Sequence, residues 1–183
     1  MAEPSFDPGG FFTFDLGGGN ITTRAGRRVL VLSDTVLGPL VASAVANGDL
    51  TVVRRLGRHM GEEVRQTLGG QVEEIPTDVV VNHLTTVLGL FGWGKFQMER
   101  WGDALVARVA EAPGIDEDQL ALAALLGGLF SSITGRDVAA VPVSEDPEFV
   151  LVAPQIAETV WGWARGGDDL ATIVARLAPG AES

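Results

Sequence analysis

Cysteine and tyrosine are both absent from this chain, and histidine occurs only twice. Without cysteine there are no disulfides, no thiolate metal sites and no thiol nucleophile. Without tyrosine a common acid–base group is gone. His59 and His83 stand in no H-E-x-x-H or comparable ligand spacing. Each is expected to be a satisfied or exposed histidine, since a metal would need both to meet Glu62 or Glu63 in space. Ser131 and Ser132 lack the G-x-S-x-G elbow that exposes a catalytic serine. The acidic runs Asp116-Glu117-Asp118 and Asp168-Asp169 fall where helix N-termini favour negative charge. No catalytic or metal-ligating residue is assigned, and the expectation is a protein that is not an enzyme and needs no cofactor.

Long apolar runs are missing as well. The chain is 46% hydrophobic with a mean hydropathy of +0.24, yet no stretch approaches the roughly 18–20 residues that span a bilayer. Met1-Ala2-Glu3-Pro4-Ser5 has no basic region followed by an apolar one, so no secretory signal is expected. With the lack of cysteine, this points to the cytoplasm. A net charge of −11 argues against a nucleic-acid partner or an anionic membrane surface. The basic residues Arg24, Arg27, Arg28, Arg54, Arg55, Arg58 and Arg65 concentrate in the first third. They read first as solvated helix faces, and second as a surface for an acidic partner or a second copy.

What is present is glycine at telling places. Residues 1–20 hold Pro4, Pro8, Gly9, Gly10 and Gly17-Gly18-Gly19 among Phe6, Phe11, Phe12 and Phe14. They read as a flexible arm whose phenylalanines need cover. Residues 27–32 suggest a short strand, and a helix from Asp34 or Pro39 to Ala46 ends at Asn47-Gly48. Leu50, Val53, Met60, Val64 and Leu68 repeat at helical spacing up to Gly69-Gly70. Gly57 and Gly61, four apart beside that stripe, suggest close approach of another backbone. Thr77 is an expected N-cap for a helix to about Phe91. Trp93–Trp101 alternates and pairs back onto Ala104–Ala110 through Gly102-Asp103. Asp116 with Gln119 forms an expected capping box for a helix to Ile133, stopped by Gly135. A second hairpin joins Val138–Val143 to Phe149–Val152, and Pro154 opens a helical region to Leu177, broken at Gly166-Gly167 and recapped by Asp168.

This order predicts an α+β fold: four or five helices packed on one face of a small antiparallel sheet made of two hairpins. The units are an arm at 1–20, a ligand-binding-like domain at 21–153 and a helical extension at 154–183. Leu84, Val87, Leu88, Phe91, Trp93, Phe96, Leu125, Leu129, Phe130 and Ile133 are the expected apolar core. A sharper expectation makes them the lining of a ligand pocket, opened where Gly89, Gly92, Gly127 and Gly128 thin the packing. Phe6, Phe11, Phe12, Phe14, Trp161 and Trp163 are the expected contacts for a protein partner.

Three stretches carry a family resemblance. Gly57-Arg58-His59-Met60-Gly61, Phe91-Gly92-Trp93-Gly94-Lys95-Phe96, and Leu126-Gly127-Gly128-Leu129-Phe130 through Gly135-Arg136-Asp137-Val138 resemble the 4-vinyl reductase (hydrocarbon-binding) domain and the related small subunits of the transport-protein-particle tethering complex. The likeness covers roughly residues 27–153 and rests on element order. It implies a non-enzymatic domain that holds a small hydrophobic or aromatic molecule and regulates homodimer or partner contacts. A role in tetrapyrrole reduction is implied by the family name alone. The chain departs from the family at Val143-Ser144-Glu145-Asp146-Pro147-Glu148-Phe149, which has no cysteine. Glu145 would keep at most one of the family's zinc ligands, and the cysteine acylated in some tethering subunits is missing, so neither metal nor covalent lipid is transferred. The alternative is a scaffold with a filled core, acting through its phenylalanine-rich arm and C-terminal helices.

Overall fold

A computed structural model describes residues 9–69 and 72–178. The α+β class holds, in the form of six α-helices and two antiparallel sheets. The larger sheet has the order β4-β5-β7-β6. Its strands are β4 (Lys95–Trp101), β5 (Ala104–Ala110), β6 (Ala139–Pro142) and β7 (Glu148–Val152). Both expected hairpins are present, Trp101 pairing with Ala104 in the first and Pro142 with Phe149 in the second. The hairpins join through β5 and β7, where Arg108 faces Glu148.

Helices cover both faces of this sheet, not one. Along β5 and β7 the side chains of Ala107, Val109, Phe149 and Leu151 enter one apolar cluster, and those of Val106, Val150 and Val152 enter another. The first cluster is closed by α2 (Thr51–Thr67), α3 (Thr77–Leu90) and α4 (Leu120–Thr134). The second is closed by α5 (Pro154–Arg165) and α6 (Leu170–Leu177), through Val160, Leu170 and Ile173. The C-terminal helices are therefore a layer of the fold. Residues 179–183 lie outside the described residues. The physical reason is the run of apolar side chains at both parities of β6 and β7, which only a doubly covered sheet buries.

The reading of residues 1–20 as an arm is corrected over residues 9–20. β1 (Phe12–Asp15), β2 (Asn20–Thr23) and β3 (Arg28–Val29) form a second, three-stranded sheet. The glycine triplet is its turn. The Asp15 carboxylate accepts the Gly18 N–H at 2.8 Å and the Asn20 side-chain amide at 3.0 Å, and Gly19 takes φ +63°. Phe11 is wholly buried, in edge-on contact with Phe12 and Phe91 at centroid distances of 4.9 and 6.0 Å. Phe11 is therefore packed within this chain, and Phe12 packs 5.6 Å from Phe91. Phe14 is 61% exposed. Phe6 lies outside the described residues.

Other local expectations shift by a residue. Pro76 takes the cap position of α3 and Thr77 is its first residue. Gln119 takes the cap position of α4, and Asp116, three residues before it, accepts the Ala121 N–H through both oxygens. Gln119, however, does not complete a capping box, because its amide donates to the Ser144 and Glu145 carbonyls on the turn before β7. Asp169, not Asp168, caps α6 by accepting from Thr172 N–H at 2.8 Å, while Asp168 pairs with Arg176. The helix α1 (Asp34–Ala46) buries only Val41 and leaves Val36 and Leu40 exposed beyond the exposed Leu30, Val31 and Leu32. Among the described residues no helix is long and apolar enough to cross a membrane.

α2 and α4 cross in backbone contact. A Cβ on Gly57 would lie 1.9 Å from the Leu125 carbonyl oxygen, and one on Gly128 would lie 2.0 Å from the Arg54 carbonyl oxygen. The neighbouring turn repeats this, since a Cβ on Gly61 would meet Leu129 O at 2.6 Å. The expected partner backbone is α4, and eleven of its residues are buried, from Ala121 to Ile133. Gly128→Ala is expected to cost at least about 1–3 kcal/mol in urea unfolding. Gly89→Ala, with nothing within 4 Å of its Cβ position, should stabilise by about 0.5–1 kcal/mol. Equal effects from the two substitutions would contradict this crossing.

A pH effect follows from the α6 cap. Hydrogen bonds from Thr172, through its hydroxyl and its backbone N–H, hold the Asp169 carboxyl below its ordinary value. Its stabilising effect is therefore present above the unfolded-state pKa and lost as pH falls through the lower folded-state one. Amide exchange at Thr172 should accelerate across that acidic window in the native chain. In Asp169→Asn it should show no matching step.

Candidate functional site

The residues expected to line a pocket are brought together as the centre of the first core. Leu84, Val87, Leu88, Phe96, Leu125 and Leu129 are essentially inaccessible, and Trp93, Phe130 and Ile133 are buried. The Phe96 and Phe130 rings lie 5.9 Å apart, and Phe91 is half-buried against Phe11 and Phe12. Gly127 and Gly128 do not thin the packing. The space beside Gly128 is filled by the Arg54 main chain and that beside Gly127 by the Arg54 guanidinium.

An open, mostly apolar groove of about 320 Å³ lies instead at the rim where the two cores meet. Leu50, which caps α2, with Arg54 of α2 and Leu120, Ala123 and Ala124 of α4 form one wall. Ala157, Glu158 and Trp161 of α5 form the other, and residues 139–142 of β6 make the floor. Its volume is at the low end of the roughly 300–1,000 Å³ of small-molecule sites. Of its lining only Trp161 stands out in the sequence. The rest is mostly alanine and leucine, with Val141, Pro142, Arg54 and Glu158, contributed by elements far apart in the chain.

Arg54 gives the groove its polar end. Its side chain is about one-third exposed, and Nη2 donates to Ser131 Oγ at 3.1 Å and to the Val138 carbonyl at 3.0 Å. Ser131 Oγ donates to the Gly127 carbonyl at 2.6 Å and accepts the Val138 N–H at 2.9 Å. Asp137 lies 2.8 Å from Arg58 and 3.7 Å from Arg54. This network ties α2, α4 and the start of β6 together, and it occupies Ser131 in structure.

The other singled-out groups lie elsewhere. His59 is exposed beside Glu62 at 3.4 Å, and His83 is buried with Nδ1 3.0 Å from the Val79 carbonyl. Glu63 is buried 3.2 Å from Arg27 Nε, pinning the loop before β3 to α2. Glu145 is exposed, and among the described residues no three acidic or histidine side chains gather where a metal ion would sit. Trp161 and Trp163 are half-buried on α5, lying under Arg165 and Arg176 at 5.4 and 5.3 Å.

Fold and site together define an α+β domain with a deeply buried apolar core and an open, mostly apolar rim groove. Compared with family models and with curated proteins, the chain matches none.

Ser131→Ala should cost about 0.5–1.5 kcal/mol in chemical denaturation, because it leaves the partly buried Val138 N–H without its acceptor. Exchange at the Val138 amide should quicken in the same variant. A neutral substitution with an unchanged Val138 amide would show that the network does not hold β6.

Proposed function

We propose that this chain is a non-enzymatic binding domain that holds a small hydrophobic or aromatic molecule in the rim groove and regulates dimer or partner contacts. The supporting observation is the groove itself, mostly apolar and floored by a strand. The resemblance to hydrocarbon-binding domains supports the same class of ligand. The site proposed from sequence was the core. Its near-complete burial moves the proposal outward, to a surface a ligand reaches without unfolding the α2–α4 crossing.

The homodimer belongs to the same proposal. Val36 and Leu40 on α1, with Leu30, Val31 and Leu32 before it, are exposed apolar residues that a second copy or a protein partner would cover. The scaffold reading stays as the second one, favoured by these residues and by the filled core. A cytoplasmic setting, inferred from the absence of cysteine, suits either.

Native mass spectrometry of the freshly purified chain tests the proposal. The expected result is a dimer carrying an added mass that disappears on denaturation. Ala124→Trp, which fills the groove, should lose the added mass and keep the fold by circular dichroism. A clean apo mass for the native chain would move the scaffold reading to the front, and an adduct undisturbed in Ala124→Trp would remove the groove as the binding site.

A further inference from the structure

The groove has a charge asymmetry that selects among apolar ligands. Arg54 and Arg58 share a single carboxylate, Asp137, which is much closer to Arg58. The two other acceptors of Arg54, Ser131 Oγ and the Val138 carbonyl, are neutral and both bind Nη2. Among the described residues Nε and Nη1 of Arg54 donate to no acceptor. One guanidinium charge at this end of the groove is thus without a counter-charge. The opposite wall carries Glu158, which is exposed and has no ion pair among the described residues.

The floor adds a donor. Val143 N–H donates to the Glu148 carbonyl at 3.0 Å. By the alternation of an antiparallel ladder, Val141 and Ala139 turn their main chain toward β7, and Val138, Ala140 and Pro142 turn theirs to the free edge. The N–H and carbonyl of Val138 are taken by Ser131 and Arg54, and Pro142 has no N–H. The Ala140 N–H is the edge donor that remains.

We infer that the groove takes an apolar molecule bearing a carboxylate, with the acid group on Arg54 and the apolar body extending toward Trp161. The inference rests on the groove being the binding site. Glu158 sets the direction, since it repels the anion from the α5 wall. A guanidinium with two free donors beside a low-dielectric wall discriminates an ionised acid from its neutral isostere through charge-assisted hydrogen bonds. A buried salt bridge does not form, because Arg54 keeps contact with solvent.

The test titrates the full chain with 2-naphthoate and with the neutral 2-naphthamide, at neutral pH and low salt. Binding is read by calorimetry and by the Trp161 indole signal in NMR. The acid should bind about ten- to hundredfold more tightly than the amide. Arg54→Gln, which removes the charge, should abolish most of that difference while leaving the amide unchanged, and Glu158→Gln should strengthen only the acid. Equal affinities for the two probes, or an acid preference that survives in Arg54→Gln with its fold intact by circular dichroism, would overturn the carboxylate assignment and leave the groove standing. If neither probe binds or moves the Trp161 signal, the groove reading itself falls.

Discussion

The contact that the rest of this structure depends on is the one between two helix backbones. Ordinary helices keep their axes 8–10 Å apart because side chains stand between them. At Gly57 and Gly128 nothing stands between, and the carbonyl of each facing turn occupies the place of a methyl group. The close approach exchanges the conformational cost of glycine in a helix for contact along two full turns. It also fixes everything attached to α2 relative to α4, including Arg54 one turn from Arg58. The polar network to Ser131 and Val138 exists because the crossing brings an arginine on one helix within reach of a strand beyond the other.

A second consequence concerns where a ligand can go. A helix with most of its length buried, and with a neighbour's main chain beside Gly128, keeps its centre away from solvent. The large residues around it, Phe96, Leu125, Leu129 and Phe149 among them, are inaccessible. Space remains where the layers part, at the free edge of β6. There the first turn of α4 and the first turns of α5 present alanines, and small side chains on two walls leave a groove. The proposed ligand site is thus a by-product of a tightly made core, displaced to the rim by it.

How legible this was in the sequence depends on the range over which each feature is encoded. Both hairpins of the large sheet, the stop at Gly135 and the α2 stripe are written in neighbouring residues, and they stand where the spacing puts them. The glycine pair of α2 announced a close backbone but not whose, since pairing Gly57 with Leu125 requires a contact 68 positions away. Gly17-Gly18-Gly19 read as an arm because a triplet disfavours regular structure. Its role as a turn depends on Asp15, whose carboxylate replaces the hydrogen bonds that a tighter turn would make. The second helical layer was present as a hint in Val138-Ala139-Ala140-Val141, apolar at both parities, where a one-sided sheet alternates. The groove was not legible at all. No residue in it except Trp161 is distinctive, and an alanine means space only when the walls around it are known.

The rigid crossing and the weakly held α1 divide the labour that the proposed function needs. A ligand on Arg54 would act on a side chain whose carbonyl is pressed against Gly128, so the α2–α4 unit resists deformation and serves as a preformed seat. Any response has to appear where restraint is low. α1 buries one residue and ends at Asn47-Gly48, two positions before Leu50, which lines the groove. Contacts to Leu50 therefore reach the short connection between α2 and the exposed apolar helix without crossing the core. In this arrangement occupancy of the groove need not move the fold to alter what α1 presents. It needs only to favour one orientation of a short connection, and the energy required is correspondingly small, of the order of the 1–3 kcal/mol typical of coupling between sites.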